Sequence, residues 1–149
     1  MMLRAAHSAF LLLLAPLACL AMAGETLEEL KAKAGAASGG DQAKLCAQVA
    51  QQDVELANQH FTDGEVEQGH AAVRDAVAYA EKARDSAVAS KKHLKKIEIS
   101  IGKTAHRLND ISKTLAIDDR PIVEQAVKEL EHIQDQLLDA MFGDGKRRP

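Results

Sequence analysis

Residues 66–115 read VEQGHAAVRDAVAYAEKARDSAVASKKHLKKIEISIGKTAHRLNDISKTL. Alternating steps of three and four pick out Val66, Gly69, Val73, Ala76, Ala80, Ala83, Ala87, Ser90, Leu94, Ile97, Ile101, Thr104, Leu108, Ile111 and Leu115. Every member is apolar or small, the phase never slips, and no proline interrupts the run. Such a repeat lays one narrow stripe along one face of a helix, so the stretch predicts an all-α fold with a seam that other helices must cover. The seam has two halves. Small residues before Ser90 let backbones approach closely, whereas the Leu and Ile after it fill a wider gap by knobs-into-holes packing.

Residues 85–92, DSAVASKK, hold no Gly, Pro or Asn and no capping box. Gly102 costs only about 1 kcal/mol relative to Ala inside a helix. The reading is therefore one long central helix over about 64–117, on the order of 80 Å at the α-helical rise. The competing arrangement breaks it near Ser90 and makes a compact four-helix bundle.

On the N-terminal side, Thr62-Asp63-Gly64-Glu65 predicts a tight helical hairpin. Thr62 and Glu65 have capping-box spacing, Phe61 and Val66 are placed as a hydrophobic staple, and Gly64 suits a left-handed helix end. The first short helix is expected over about 42–62, with Asp41 as N-cap and Leu45, Cys46, Val49, Ala50, Leu56, Ala57 and Phe61 at helical spacing. On the C-terminal side, Pro121 is tolerated only in the first turn of a new helix, and Asp119 is a natural cap. The second short helix is expected over about 120–142, with Val123, Ala126, Leu130, Ile133, Leu137 and Ala140 on one seam and Gly143 as its stop. The expected form is elongated antiparallel hairpins, each short helix folded back on its own half of the long one.

Residues 56–76 resemble the hairpin of one tetratricopeptide repeat, carried by Ala57, Phe61, Gly64 at the tip, Gly69, Val73 and Ala76. That family builds peptide-binding superhelices. The resemblance covers about one repeat, and Glu81 stands where the family ends its second helix with proline. It implies hairpin geometry and no particular ligand.

The ends read differently. Arg4 and His7 precede an apolar run, Ala9–Leu20, and then Ala21-Met22-Ala23, the pattern of a secretory signal peptide cleaved before Gly24. Cys19 has Pro16 three residues before it, where a lipobox carries Leu, so no lipid anchor is expected there. Residues 24–40, with Gly35-Ala36-Ala37-Ser38-Gly39-Gly40, read as a flexible arm, 41–143 as a single helical domain, and 144–149 as a polar basic tail. Arg4 is the only Asp, Glu, Lys or Arg before Gly24, so the formal charge of −3 becomes −4 on its removal, a mild acidity that selects no partner. No second apolar stretch reaches membrane-spanning length. Cys46 is then the lone cysteine and reads as a small buried helix residue, with an interchain disulfide as the functional alternative. Phe61, Tyr79 and Phe142 are the aromatic residues after Gly24, which argues against base-stacking platforms and sugar-binding clefts.

The sharpest chemical candidate is a pair of Glu-x-x-His motifs, Glu67/His70 and Glu129/His132. With Glu55 and Glu98 they have the residue types of a di-iron carboxylate bundle. A continuous helix keeps Glu67 and Glu98 roughly 45 Å apart, so only the broken form could assemble them. His60 and His70 with Asp63, Glu65 and Glu67 could hold a single divalent metal at the hairpin. Lys91-Lys92-His93-Leu94-Lys95-Lys96 is a basic cluster that Glu124, Glu129, Glu131, Asp135 and Asp139 of the last helix could pair with, as they could with Lys103 and Arg107. No phosphate loop, nucleophile elbow, Cys-x-x-Cys-His or HExxH motif is present.

The sequence therefore reads as an exported, periplasmic or extracellular, adaptor-like helical protein that is not an enzyme and holds no cofactor, with a metal-binding bundle as the alternative. Its partner would be a second copy or another helical protein, not nucleic acid. The interaction seam is Val66, Val73, Val77, Leu94, Ile97, Ile99, Ile101, Leu108, Ile111, Leu115, Val127, Leu138 and Met141. Among the apolar positions beside the seams, Val77, Ile99, Ile117, Val127, Leu138 and Met141 suggest a second contact face.

Overall fold

A computed structural model describes residues 24–143, and those residues are all α, with no strand among them. The elements are α1 (Leu27–Ala36), α2 (Gly39–Thr62), α3 (Val66–Ser90), α4 (Leu94–Thr114), a 3-10 turn (Ile117–Asp119) and α5 (Arg120–Phe142). The expected signal peptide and basic tail lie outside the described residues.

The continuous helix over 64–117 is not formed: α3 ends at Ser90, and α4 starts at Leu94. The stop has a local cause. Ser90 Oγ donates to the Ser86 carbonyl at 2.6 Å and accepts from the Lys92 amide at 3.3 Å, offering the backbone an alternative to the helix ladder. Lys91 and His93 then take left-handed conformations, φ 55° and 61°, that side chains rarely adopt. The step from Ser90 to Leu94 is still four residues, so the stripe keeps its phase across the turn. Its inner members from Gly69 to Ile111 are buried except Ser90 and Leu94, which, like the end members Val66 and Leu115, are half-buried.

The partners of each helix define the stacking. Phe61 lies against Gly69 and Ser86 donates to Gln42, so α2 and α3 are antiparallel. Glu98 and Gln134 join α4 to α5, also antiparallel. Gln51–Ser100 and Glu55–Arg107 run in the same sense along α2 and α4, as His70–Asp119 and Arg84–Gln136 do along α3 and α5. Two antiparallel hairpins are thus stacked with like helices parallel.

Residues 24–40 are not a loose arm. Thr26 and Glu29 form a capping box that starts α1, and Leu30 and Ala34 are buried in the core. Gln42 Nε2 donates to the Ala34 carbonyl at 3.2 Å across the short turn. Helix α1 therefore packs on the first hairpin. Other local expectations also shift. Ser38 is the N-cap of α2, while Asp41 lies in its first turn. Thr62 bonds back to the Asn58 carbonyl instead of capping α3, whose N-cap is Glu65 with no side-chain bond. Gly64 is left-handed, φ 79°, as the hairpin tip required. Gly69 is required by packing, because a Cβ there would sit 2.5 Å from Phe61 Cε1. Asp119 is the N-cap of α5, with proline at its start, and Gly143 is its C-cap.

Candidate interaction surface

The residues singled out as metal ligands do not converge on one point, and most are engaged in bonds to other side chains or to backbone. His70 is buried, packs edge-on against Phe61, and donates from Nε2 to the Asp119 carbonyl at 3.2 Å, pinning the tip of the first hairpin to the start of α5. His132 accepts from Gln136 Nε2 at 3.1 Å, and Glu129 accepts from Gln125 at 3.2 Å. Glu55 takes a two-pronged bond from Arg107, at 2.7 and 2.9 Å, which holds its carboxyl below the usual range. Glu98 is held low by Lys95 and Gln134. His60 faces Glu65 across the turn. Breaking the long helix therefore does not assemble the two Glu-x-x-His motifs, and no group of three or more His, Cys, Asp or Glu among the described residues is placed to hold a metal ion.

The basic cluster is the α3–α4 turn and the first turn of α4, not a mid-helix stripe. Its expected pairing with α5 is not made among the described residues. Arg107 bonds Glu55 of α2, Lys95 bonds Glu98 of its own helix, and among the described residues Lys96 and Lys103 make no salt bridge.

Most of the seam is internal. Val73, Val77, Ile97, Ile101, Leu108, Ile111 and Val127 are buried; Val66, Leu94, Leu115, Leu138 and Met141 are half-buried. Of the six flanking positions, Val77 and Val127 are absorbed by the core, Leu138 and Met141 are half-buried, and Ile99 and Ile117 remain at 43% and 78% exposure. Cys46 is buried, and burial pushes its thiol up from the ordinary value.

Ile99 lies at an open cleft of about 720 Å³ between the parallel helices α2 and α4. The packing that creates it follows from the sequence. Gly40 lets α2 press on the inter-hairpin turn, since a Cβ there would lie 2.7 Å from the His93 ring. Further along, Gln51 donates to Ser100 at 3.1 Å. Between these two contacts the groove has Leu45, Ala47, Ile97 and Ile99 as apolar lining and Lys44, Lys96 and Lys103 as cations. Asp41 is the one acid of the lining, and it pairs with Lys44 at 2.9 Å. An open groove with an apolar floor and a charged margin is the form in which proteins receive an amphipathic helix.

A second unanticipated feature lies under α1. Asp53 is fully buried, and neither carboxylate oxygen has a hydrogen bond among the described residues. Lys31 of α1 reaches it at 3.2 Å and also pairs with Asp75 of α3 at 3.3 Å. Burial pushes the Asp53 carboxyl up to about 6, against the opposing pull of Lys31. Lys31 and Lys82 both lie over the Tyr79 ring, at 5.5 and 4.6 Å from its centroid. The sequence signal was available as an acid within an apolar helical stripe, Cys46-Val49-Ala50-Asp53-Ala57, but its counter-ion came from a segment expected to be loose.

No protein-family model, no curated protein and no solved structure matches this chain.

Proposed function

We propose that the chain is an exported helical interaction protein of the cell envelope that works by receiving a helix of another polypeptide, not by catalysis. The observation behind this reading is the α2/α4 cleft, with its apolar floor and lysine margin. A core made almost wholly of Ala, Val, Ile and Leu supplies a rigid frame for such a groove. The buried polar groups His70 and Glu98 serve inter-helix bonds within that frame. Export rests on residues 1–23, read as a signal peptide.

The docking test uses a synthetic amphipathic peptide with a leucine stripe at helical spacing, titrated into the isotope-labelled chain. Resonance shifts are expected to centre on Leu45, Gln48, Ile97 and Ile99, and Ile99→Asp should abolish them. Shifts spread evenly over the surface, or none, would remove the docking role. Export is tested separately by fusing residues 1–23 to a reporter active only outside the cytoplasm; a reporter that stays silent sinks that part alone.

A further inference from the structure

We infer that the helix received by the α2/α4 cleft is acidic, with carboxylates seven residues apart flanking a stripe of Leu or Ile. This rests on the docking role proposed above and specifies its partner. Lys96 and Lys103 are seven residues apart on α4, two turns or about 10.5 Å along the axis, and so lie on one side of that helix. Among the described residues neither makes a salt bridge. Lys44 stands opposite on α2, its charge balanced by exposed Asp41. The lining thus carries three lysines against one aspartate, and its two unpaired cations are both on α4.

The floor decides between ligand classes. Ile97 is buried at the base and Ile99 is 43% exposed at the edge. Lysine stems extend such apolar surface while their ammonium groups stay in water, ready for carboxylates on an incoming helix. A small inorganic anion would leave the apolar floor wet. A lipid surface is met by apolar side chains that protrude, whereas these line a concavity between two helices. The α2 wall runs from Asp41 to Gln51, about 15 Å at the helical rise, enough for close to three turns of a docked helix.

The test uses two synthetic helical peptides with the same leucine stripe, one flanked by Glu at seven-residue spacing and the other by Lys at the same positions. Their affinity for the purified chain is measured by fluorescence anisotropy at low and high salt. The Glu peptide is expected to bind at least about tenfold tighter at low salt, with the gap narrowing as salt screens the charges. Lys96→Glu combined with Lys103→Glu should invert the preference, while Lys113→Glu should leave it unchanged. All three lysine positions are exposed, and circular dichroism melting verifies that each variant is folded.

Equal binding of the two peptides would overturn the acidic partner but leave the docking role standing. Binding of neither would overturn both. Binding of anionic phospholipid vesicles but of neither peptide would reassign the cleft to a membrane surface. A concentration-dependent doubling of mass that the Lys96/Lys103 double variant abolishes would assign it to a second copy of the chain, against the inference.

Discussion

Hairpins α2/α3 and α4/α5 have similar helix lengths, 24 and 25 residues against 21 and 23, but they are held by different side chains. The first is lined by alanine: Ala43, Ala50 and Ala57 of α2 and Ala76, Ala80, Ala83 and Ala87 of α3 are all buried. The second is closed by Ile97, Ile101, Leu108 and Ile111 of α4 with Leu130, Ile133 and Leu137 of α5. The difference follows from position. The alanine hairpin is the middle layer, with α1 on one side and the second hairpin on the other, so its helices must be thin to be covered on both. The Leu/Ile hairpin is an outer layer and contributes large side chains to a single shared core. Stability in the outer layer therefore resides in volume, and in the middle layer in closeness of approach.

Truncation in the outer layer should give the largest effect. Leu108→Ala removes a fully buried side chain and leaves a cavity, expected to cost about 2–5 kcal/mol in denaturant unfolding. The reverse change in the middle layer comes next: Ala80→Leu forces volume into a seam built for close approach and should cost about 1–3 kcal/mol. If Ala80→Leu is tolerated without loss, the middle layer is not closely packed and the contrast between the hairpins fails. Gly69→Ala belongs with the overpacking group, because Phe61 would have to move.

This contrast was legible in residues 66–115, because heptad spacing reports which positions face the core and residue size reports how close the partner comes. All-α architecture, the hairpin at Gly64 and the helix from Pro121 follow from equally local chemistry. Two things were not legible. The turn at Lys91–His93 uses no Gly or Asn, so local propensity gives no warning; the gain comes from folding back α4 to bury Ile97, Ile101, Leu108 and Ile111, which is a tertiary effect. The docking of α1 depends on Lys31 meeting Asp53 and Asp75, residues 22 and 44 positions away, and no periodicity links them. The cleft is hidden for the same reason: Leu45 and Ile99 become neighbours only once α2 and α4 lie parallel.

The covered side of the middle layer should show itself through pH. The Asp53 carboxyl rises from 3.8 to about 6 because burial penalises its charge, so the folded chain holds this proton more tightly than the unfolded one. Asp53 therefore weakens the fold above pH 6, and that penalty is relieved as pH falls toward 4. Lys31, Glu28 and Asp75 face it, and Lys31 offsets part of the cost. Glu55, Glu98 and Asp110 are shifted down, so their contributions are lost only at lower pH. The unfolding midpoint of the native chain relative to Asp53→Asn should thus rise between pH 7 and pH 5. A difference that stays flat across that interval would mean that Asp53 is hydrated and α1 does not seal the layer.

The smallest effect is expected at the junction between the hairpins. Lys91 sits at φ 55°, where a side chain costs on the order of 1–2 kcal/mol that glycine does not incur. Glycine in turn gives the unfolded chain more freedom, worth roughly 0.5–1 kcal/mol. Lys91→Gly should therefore be neutral or stabilising by up to about 1 kcal/mol. The same change two residues earlier at exposed Ala89, inside α3, should destabilise by about 1 kcal/mol. The opposite signs separate a built turn from a helix that merely frays. In a continuous helix both substitutions would destabilise alike, and the alanine and Leu/Ile stripes would be two halves of one rod instead of two stacked layers.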